Sequence, residues 1–245
     1  MCETAVQRDR HAEGLHALNS DVVVAQALGK RYPDGGGTES WAIENLSFSV
    51  AAGSLTAIVG PSGVGKTTLL QLLAGLVRPS SGSVVVGGID VSTLGDRKLT
   101  RLRREKIGFV FQTLQLLPDI TAEENITLPV RLGRRTVDIV ELDELAQLLD
   151  IDICLRKSTG DLSGGQQQRV AVARALFSRP DVVLADEPTG ALDRAAAERV
   201  MGLFRLAADH RGQTVLVVTH DDRVLPWCDR VLTMERGHGM TEFIA

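Results

Sequence analysis

The sequence predicts an α/β fold built on a largely parallel sheet, and three observations carry that prediction. Residues 55–59 (LTAIV) are apolar at every position except Thr56, the pattern of a strand buried on both faces, and they run through a glycine-rich loop into a helical pattern. Residues 182–185 and 215–218 are two more all-apolar runs separated by a helix-period segment at 195–208, which is βαβ alternation. Between residues 113 and 178 the apolar positions recur instead at helical spacing, so a mostly helical lobe is expected to be inserted between the sheet-forming segments.

Taken in order, residues 1–20 are polar and aperiodic and are expected to form a flexible extension ahead of a domain spanning 21–245. Residues 22–25 and 46–50 are β-rich runs, with the turn-forming Pro33, Asp34, Gly35, Gly36 and Gly37 between them. The long uncharged stretch 45–65 contains Gly53, Gly60, Pro61 and Gly63, so it reads as two strands and a turn and not as a membrane span. Leu69, Leu70, Leu72, Leu73 and Leu76 mark a helix over 67–76, with Gly75 and Pro79 near its end. The basic stretch 97–106 reads as a solvated helix face, because Glu105 and leucines interleave its cations. A net charge of −4 argues against sequence-independent DNA binding, which needs clustered cations to displace counterions. Cys2, Cys154 and Cys228 are odd in number and lack metal-ligand spacing, so neither a disulfide framework nor a zinc site is implied.

The segment Gly60, Pro61, Ser62, Gly63, Val64, Gly65, Lys66, Thr67 reads GPSGVGKT and satisfies GxxxxGK[ST] between a predicted strand and helix. Its glycines let the backbone curl until successive N–H groups face phosphate oxygens, and the positive end of the next helix, with Thr68 in its first turn, adds to the attraction. Lys66 supplies a point charge to the β- and γ-phosphates, and the Thr67 hydroxyl suits Mg²⁺. This defines a P-loop NTPase and leaves GTPases, kinases and ATPases open. Asp186 and Glu187 follow the apolar run 182–185, at the strand end where ligands bind in such sheets. Asp186 is suited to holding the metal and Glu187 to polarising an attacking water. The plainer alternative is a helix cap for a helix beginning at Pro188.

Residues 162–169 read LSGGQQQR ahead of a helical run, so Ser163, Gly164, Gly165 and Gln166 offer a second anion-binding helix end in a chain with motifs for one nucleotide. This segment resembles the signature motif of ABC ATPases, and other elements of that family follow in order from about residue 22 to 234. The resemblance implies a RecA-like mixed sheet core, an N-terminal antiparallel β subdomain and an inserted α-helical subdomain over about 113–178. It implies that Phe111 and Gln112 form the glutamine loop, with Gln112 reaching the metal. Asp193 would pass coupling across a dimer, and His220, after Thr219, would contact the γ-phosphate. Adenine is normally held by stacking on an aromatic ring; Tyr32 matches the family's aromatic loop, with Trp41 as the competitor.

Residues 109–126, 184–193 and 216–221 look like the branch containing the lipoprotein-releasing, macrolide-exporting and cell-division ATPases. The implied function is the ATP-hydrolysing subunit of a transporter, using ATP and Mg²⁺, forming a homodimer through ATP, and driving a separate integral-membrane permease subunit. Such a subunit is cytoplasmic and sits on the inner face of the membrane through that partner, without inserting into it and without binding nucleic acid. The alternative within the resemblance is a regulatory module of cell-division type that gates a partner and moves no cargo. Leu114, Leu116, Leu117 and Pro118 are a candidate dock for the partner, or equally an inter-lobe core.

Overall fold

The computed structural model describes residues 21–34, 38–235 and 239–244. The expected extension at 1–20, with Cys2, and the turn glycines at 35–37 lie outside the described residues. The main sheet has six strands: β3 (Leu55–Val59), β6 (Ile107–Val110), β7 (Val182–Asp186), β8 (Thr214–Val218), β9 (Arg230–Glu235) and β10 (Gly239–Ile244). Their spatial order is β10-β9-β3-β8-β7-β6, with β10 antiparallel to β9 and the remaining pairs parallel. A second, antiparallel sheet in the order β2-β1-β4-β5 comprises β1 (Asp21–Pro33), β2 (Glu39–Ala51), β4 (Ser81–Val86) and β5 (Ile89–Asp90).

Period-two alternation on the parallel strands builds a core on each face. Leu55 and Ala57, Val183 and Ala185, and Val215 and Val217 point into one core with α5 (Gly164–Phe177) and α6 (Arg194–Arg211). Ile58, Val182, Leu184, Leu216 and Val218 point into the other. That second core holds the leucines of α1 (Lys66–Leu73) between the two sheets, beside Val23 and Leu28 of β1. The strand expected at 55–59 is therefore present, and the uncharged stretch 45–65 is two strands joined by a turn.

Several elements exceed what the sequence pattern suggests. β1 and β2 continue well beyond 22–25 and 46–50, and their pairing shifts register around Ala27 (φ 47°) and Asn45 (φ 48°). Such bulges move later side chains to the other face, so strict alternation disappears while pairing continues. β6 has four residues and follows α2 (Asp96–Lys106) without an intervening turn, which hides it from pattern reading. α2 buries Leu99 and Leu102 and turns its cations outward, where Arg101 and Arg104 share Glu105; this is the solvated basic face expected.

Three helices occupy the stretch expected to be helical: α3 (Ala122–Leu132), α4 (Ile139–Leu148) and α5. Thr121 and Glu124 form a capping box on α3, and Asp138 caps α4. Glu141 of α4 is nearly buried and accepts from Arg179 (2.8 Å) and Arg211 (2.9 Å), tying α4 to the segments that follow α5 and end α6. Among the described residues no helix is long and apolar enough to cross a membrane. Fully buried Asn125 on α3 pins the chain that enters this lobe: its Oδ1 accepts from Leu117 N (2.9 Å), and its Nδ2 donates to Leu117 O (3.0 Å) and Thr121 O (3.1 Å). Asn125→Ala leaves the Leu117 N–H without a partner, while Leu117 O keeps Thr159 Oγ1 (2.7 Å) and Thr121 O keeps the residue-125 N–H (3.0 Å), and should cost about 2 kcal/mol, read as a lower urea midpoint at unchanged slope.

Candidate active site

The order β3-β8-β7-β6 puts four functional segments side by side at the carboxyl edge of the sheet. β3 runs into the Gly60 loop, β8 into Thr219 and His220, β7 into Asp186 and Glu187, and β6 into Phe111 and Gln112. A cleft of about 360 Å³ opens there, lined by Ser62, Gly63, Gly65, Lys66, Thr67 and Thr68 of the loop and α1, by Ala42 of β2, and by Gln112, Asp186 and Glu187.

The loop is shaped by its glycines. Gly65 precedes α1 with φ 109°, and a side chain there would collide with the Ala42 carbonyl. A left-handed residue with no side chain at this point is what brings the helix end against the cleft. No side chain caps α1, and its first turn carries no acid, so its N–H groups and dipole face the cleft uncompensated. Lys66 Nζ donates to the carbonyls of Gly60 (2.7 Å) and Pro61 (3.0 Å), which keeps the ammonium at the loop. Val64 is buried in the core between the sheets and anchors the loop from below.

Asp186 is 2% exposed, and burial pushes its carboxyl above the ordinary carboxylate range, against the Thr67 hydroxyl that hydrogen-bonds it. Glu187 holds φ at 50°, a left-handed backbone uncommon for a side chain of this size. Its N–H donates to Val218 O (2.8 Å), and its carboxylate accepts from Thr219 Oγ1 (3.0 Å) and meets His220 Nδ1 at 2.6 Å. His220 is otherwise open, with its side chain 77% exposed. The helix-cap alternative for the acidic pair fails, because the next helix, α6, begins at Arg194 and is capped by Asp193, whose carboxylate accepts from Ala196 N at 2.8 Å.

The structure does not bring every candidate together. Ser163 caps α5 in a capping box, its hydroxyl accepting from Gln166 N (3.3 Å) while Gln166 Oε1 accepts from Ser163 N (3.0 Å). Ser163 and Gly164 are exposed, and among the described residues the cleft lining includes none of Ser163, Gly164, Gly165, Gln166 or Asp193. Leu192, next to Asp193, packs close to Gly165. Neither aromatic lines the cleft, although Trp41 adjoins Ala42, which does. Arg31 lies 3.9 Å from the Trp41 ring and Lys30 5.1 Å from the Tyr32 ring, so both present cation-backed faces. Leu114 and Leu116 pack against the core, whereas Leu117 is 48% exposed, so the apolar run after Gln112 divides between the two readings offered for it.

Pattern reading passed over a supporting network. Thr189 is fully buried and donates to Asp221 Oδ2 (2.9 Å), and Asp221 N donates to the Thr219 hydroxyl (3.0 Å) that holds Glu187. Arg223 closes on the same carboxylate at 2.8 Å. The sequence signal was the acid directly after His220, but its partner thirty-two residues upstream is set only by the fold.

With this geometry in view, the chain matches the family model described as ABC transporter over residues 43–190. It is 41% identical to the uncharacterized ABC transporter ATP-binding protein YvcR of Bacillus subtilis, over 91% of this chain and 87% of that protein. It is 46% identical to the lipoprotein-releasing system ATP-binding protein LolD of Anaeromyxobacter dehalogenans, over 80% of this chain and 83% of that protein. Among solved structures it superposes with TM-score 0.85 and 36% identity on the ATP-binding cassette MJ0796, a dimer in a post-hydrolysis state bound to ADP and Pi, over 91% of this chain and 98% of that one. The chain belongs to the ABC transporter family and is an ATP-binding ATPase of that family.

The Arg223 hydrogen bonds hold the Asp221 carboxyl down to about 2, against burial. A carboxylate lowered in this way contributes stability above the ordinary carboxylate range and loses it as pH falls toward the folded value. Asp221→Asn should therefore unfold at lower urea than wild type at pH 7, with the gap closing as pH drops from about 4 toward 2.

Proposed function

We propose that two copies of this chain close around two ATP·Mg²⁺, each nucleotide held by the phosphate loop of one copy and the signature helix end of the other, and that closure drives a separate transmembrane subunit. One observation carries this reading. The helix N-termini that follow GPSGVGK and LSGG, at α1 and α5, differ in placement: the first lines the acidic cleft and the second does not. The second is exposed, as a surface reserved for another copy requires. The dimeric state of the MJ0796 cassette supports it.

The roles follow from the chemistry of each group. The loop Gly60, Pro61, Ser62, Gly63, Val64 and Gly65, with Thr67 and Thr68, surrounds the phosphates through backbone N–H groups, and Lys66 leaves its loop carbonyls for the β- and γ-phosphate oxygens. Thr67, Asp186 and Gln112 bring a hydroxyl, a carboxylate and an amide oxygen to one cleft, an oxygen set that fits Mg²⁺ better than softer metals. A Mg²⁺ held by Thr67, Asp186 and Gln112 would supply positive charge to offset that of the phosphates. Glu187 accepts the proton of the attacking water, and His220 turns from Glu187 to the γ-phosphate. Ser163, Gly164, Gly165 and Gln166 meet that phosphate from the opposite copy, with Asp193 beside the shared boundary. Tyr32 stacks on adenine.

The ATPase domain comprises residues 21–245, with the lobe of about 113–178 inserted in it, and exposed Leu117 and Pro118 form part of the surface that meets the membrane partner. The relative that is named for lipoprotein release supports a partner of that branch. Attachment is through the partner, at the inner face of the membrane. Glu187→Gln should slow hydrolysis on the order of 10³-fold while ATP is still bound, and should shift the chain from monomer to dimer on a sizing column only when ATP is present. Turnover at the wild-type rate, or a strictly monomeric ATP-loaded variant at high concentration, would overturn the proposal.

A further inference from the structure

α5 carries Arg174 about three turns beyond its Ser163 cap, and this guanidinium grips the loop that follows Gln112. Its Nη2 donates to Leu114 O and its Nη1 to Gln115 O, both at 2.6 Å. Those two residues are consecutive non-glycines in the left-handed region, with φ 57° and 46°. Residues with side chains persist in that conformation only where surrounding contacts over-determine it. Burial lowers the guanidinium to about 10, so it stays charged at neutral pH, and among the described residues no carboxylate offsets it. Arg174 is half-buried, and a cation in such a place whose partners are two backbone carbonyls costs more to desolvate than one paired with a carboxylate, so its position needs a reason other than charge pairing.

We infer that Arg174 is a positioning residue that clamps the Leu114–Gln115 turn to α5, so that Gln112 at the cleft and the signature end of the same helix are carried by one rigid unit. The planar fork suits two neighbouring carbonyls in a way a single ammonium does not. Leu114 N donates to Phe111 O at 2.9 Å, which closes the turn around Gln112 itself. Phe111 stacks on Phe109 of β6 at 4.1 Å, so the loop is held at the strand on one side and at α5 on the other. Arg174 is not among the residues that line the cleft and acts through Gln112, which is. The inference rests on the reading of Gln112 as a metal-side group under the proposed function.

The test takes the full chain as wild type, Arg174→Lys and Arg174→Met, first without nucleotide, by hydrogen–deuterium exchange. Peptides covering residues 111–117 should exchange about tenfold faster in both variants, while those covering 55–73 stay at the wild-type rate. Unchanged exchange at 111–117, or an equal rise at 55–73 that marks general loosening, overturns the clamp. In ATPase assays the half-saturating Mg²⁺ concentration should rise about tenfold in Arg174→Lys, with half-saturating ATP at excess Mg²⁺ little changed. A faster loop with an unmoved Mg²⁺ dependence overturns the positioning of Gln112. Gln112→Ala separates the two readings: if it too leaves the Mg²⁺ dependence unmoved, the metal role of Gln112 fails, and the exchange experiment alone decides the clamp.

Discussion

Four parallel strands in fixed register bear the phosphate loop, the acidic pair, His220 and Gln112. Ala57 of β3 lies opposite Val217 of β8, Ala185 of β7 opposite the same Val217, and Ala185 opposite Val110 of β6. Because neighbouring strands lie about 4.8 Å apart, the phosphate loop, His220, the acidic pair and Gln112 emerge in a row roughly 15 Å long. A one-residue slip would turn every buried side chain of a strand to the opposite face, and both faces here are packed with apolar groups, so the register is held from two sides.

This rigidity permits local conformations that a looser frame would relax. Glu187 sits in left-handed backbone because its N–H is held by β8 and its carboxylate by Thr219 and His220. Asp186 stays buried at the end of β7 with the Thr67 hydroxyl as partner. Behind them, Thr189, Asp221 and Arg223 tie the segment after β7 to the segment after β8. The acid, the histidine and the turn before Asp193 are thereby parts of one hydrogen-bonded assembly.

The helical lobe reaches the cleft by a different route. It enters through the loop after β6 and leaves through α5, and Asn125, Glu141 and Arg174 each tie part of it to neighbouring backbone or side chains. The exposed α5 terminus and the cleft are thus connected through bonded structure although they do not meet within one chain.

Much of the site is determined by local sequence. GPSGVGKT specifies a curled loop because glycine alone tolerates the backbone at Gly65, and the apolar runs before Asp186 and His220 specify buried strands because nothing else accommodates them. The N-terminal strands were legible only in part, since bulges at Ala27 and Asn45 break the alternation that reveals a strand, and four-residue β6 is too short to show a period. Sequence left the acidic pair open between helix cap and cleft, and the placement of α6 at Arg194 decided it. The strand order, the Thr189–Asp221 bond and the grip of Arg174 on Leu114 and Gln115 belong to tertiary structure alone. Their partners stand tens of residues apart, and contacts of that separation are chosen by how the sheet and helices pack, whereas glycine conformation and apolar periodicity act within a few residues.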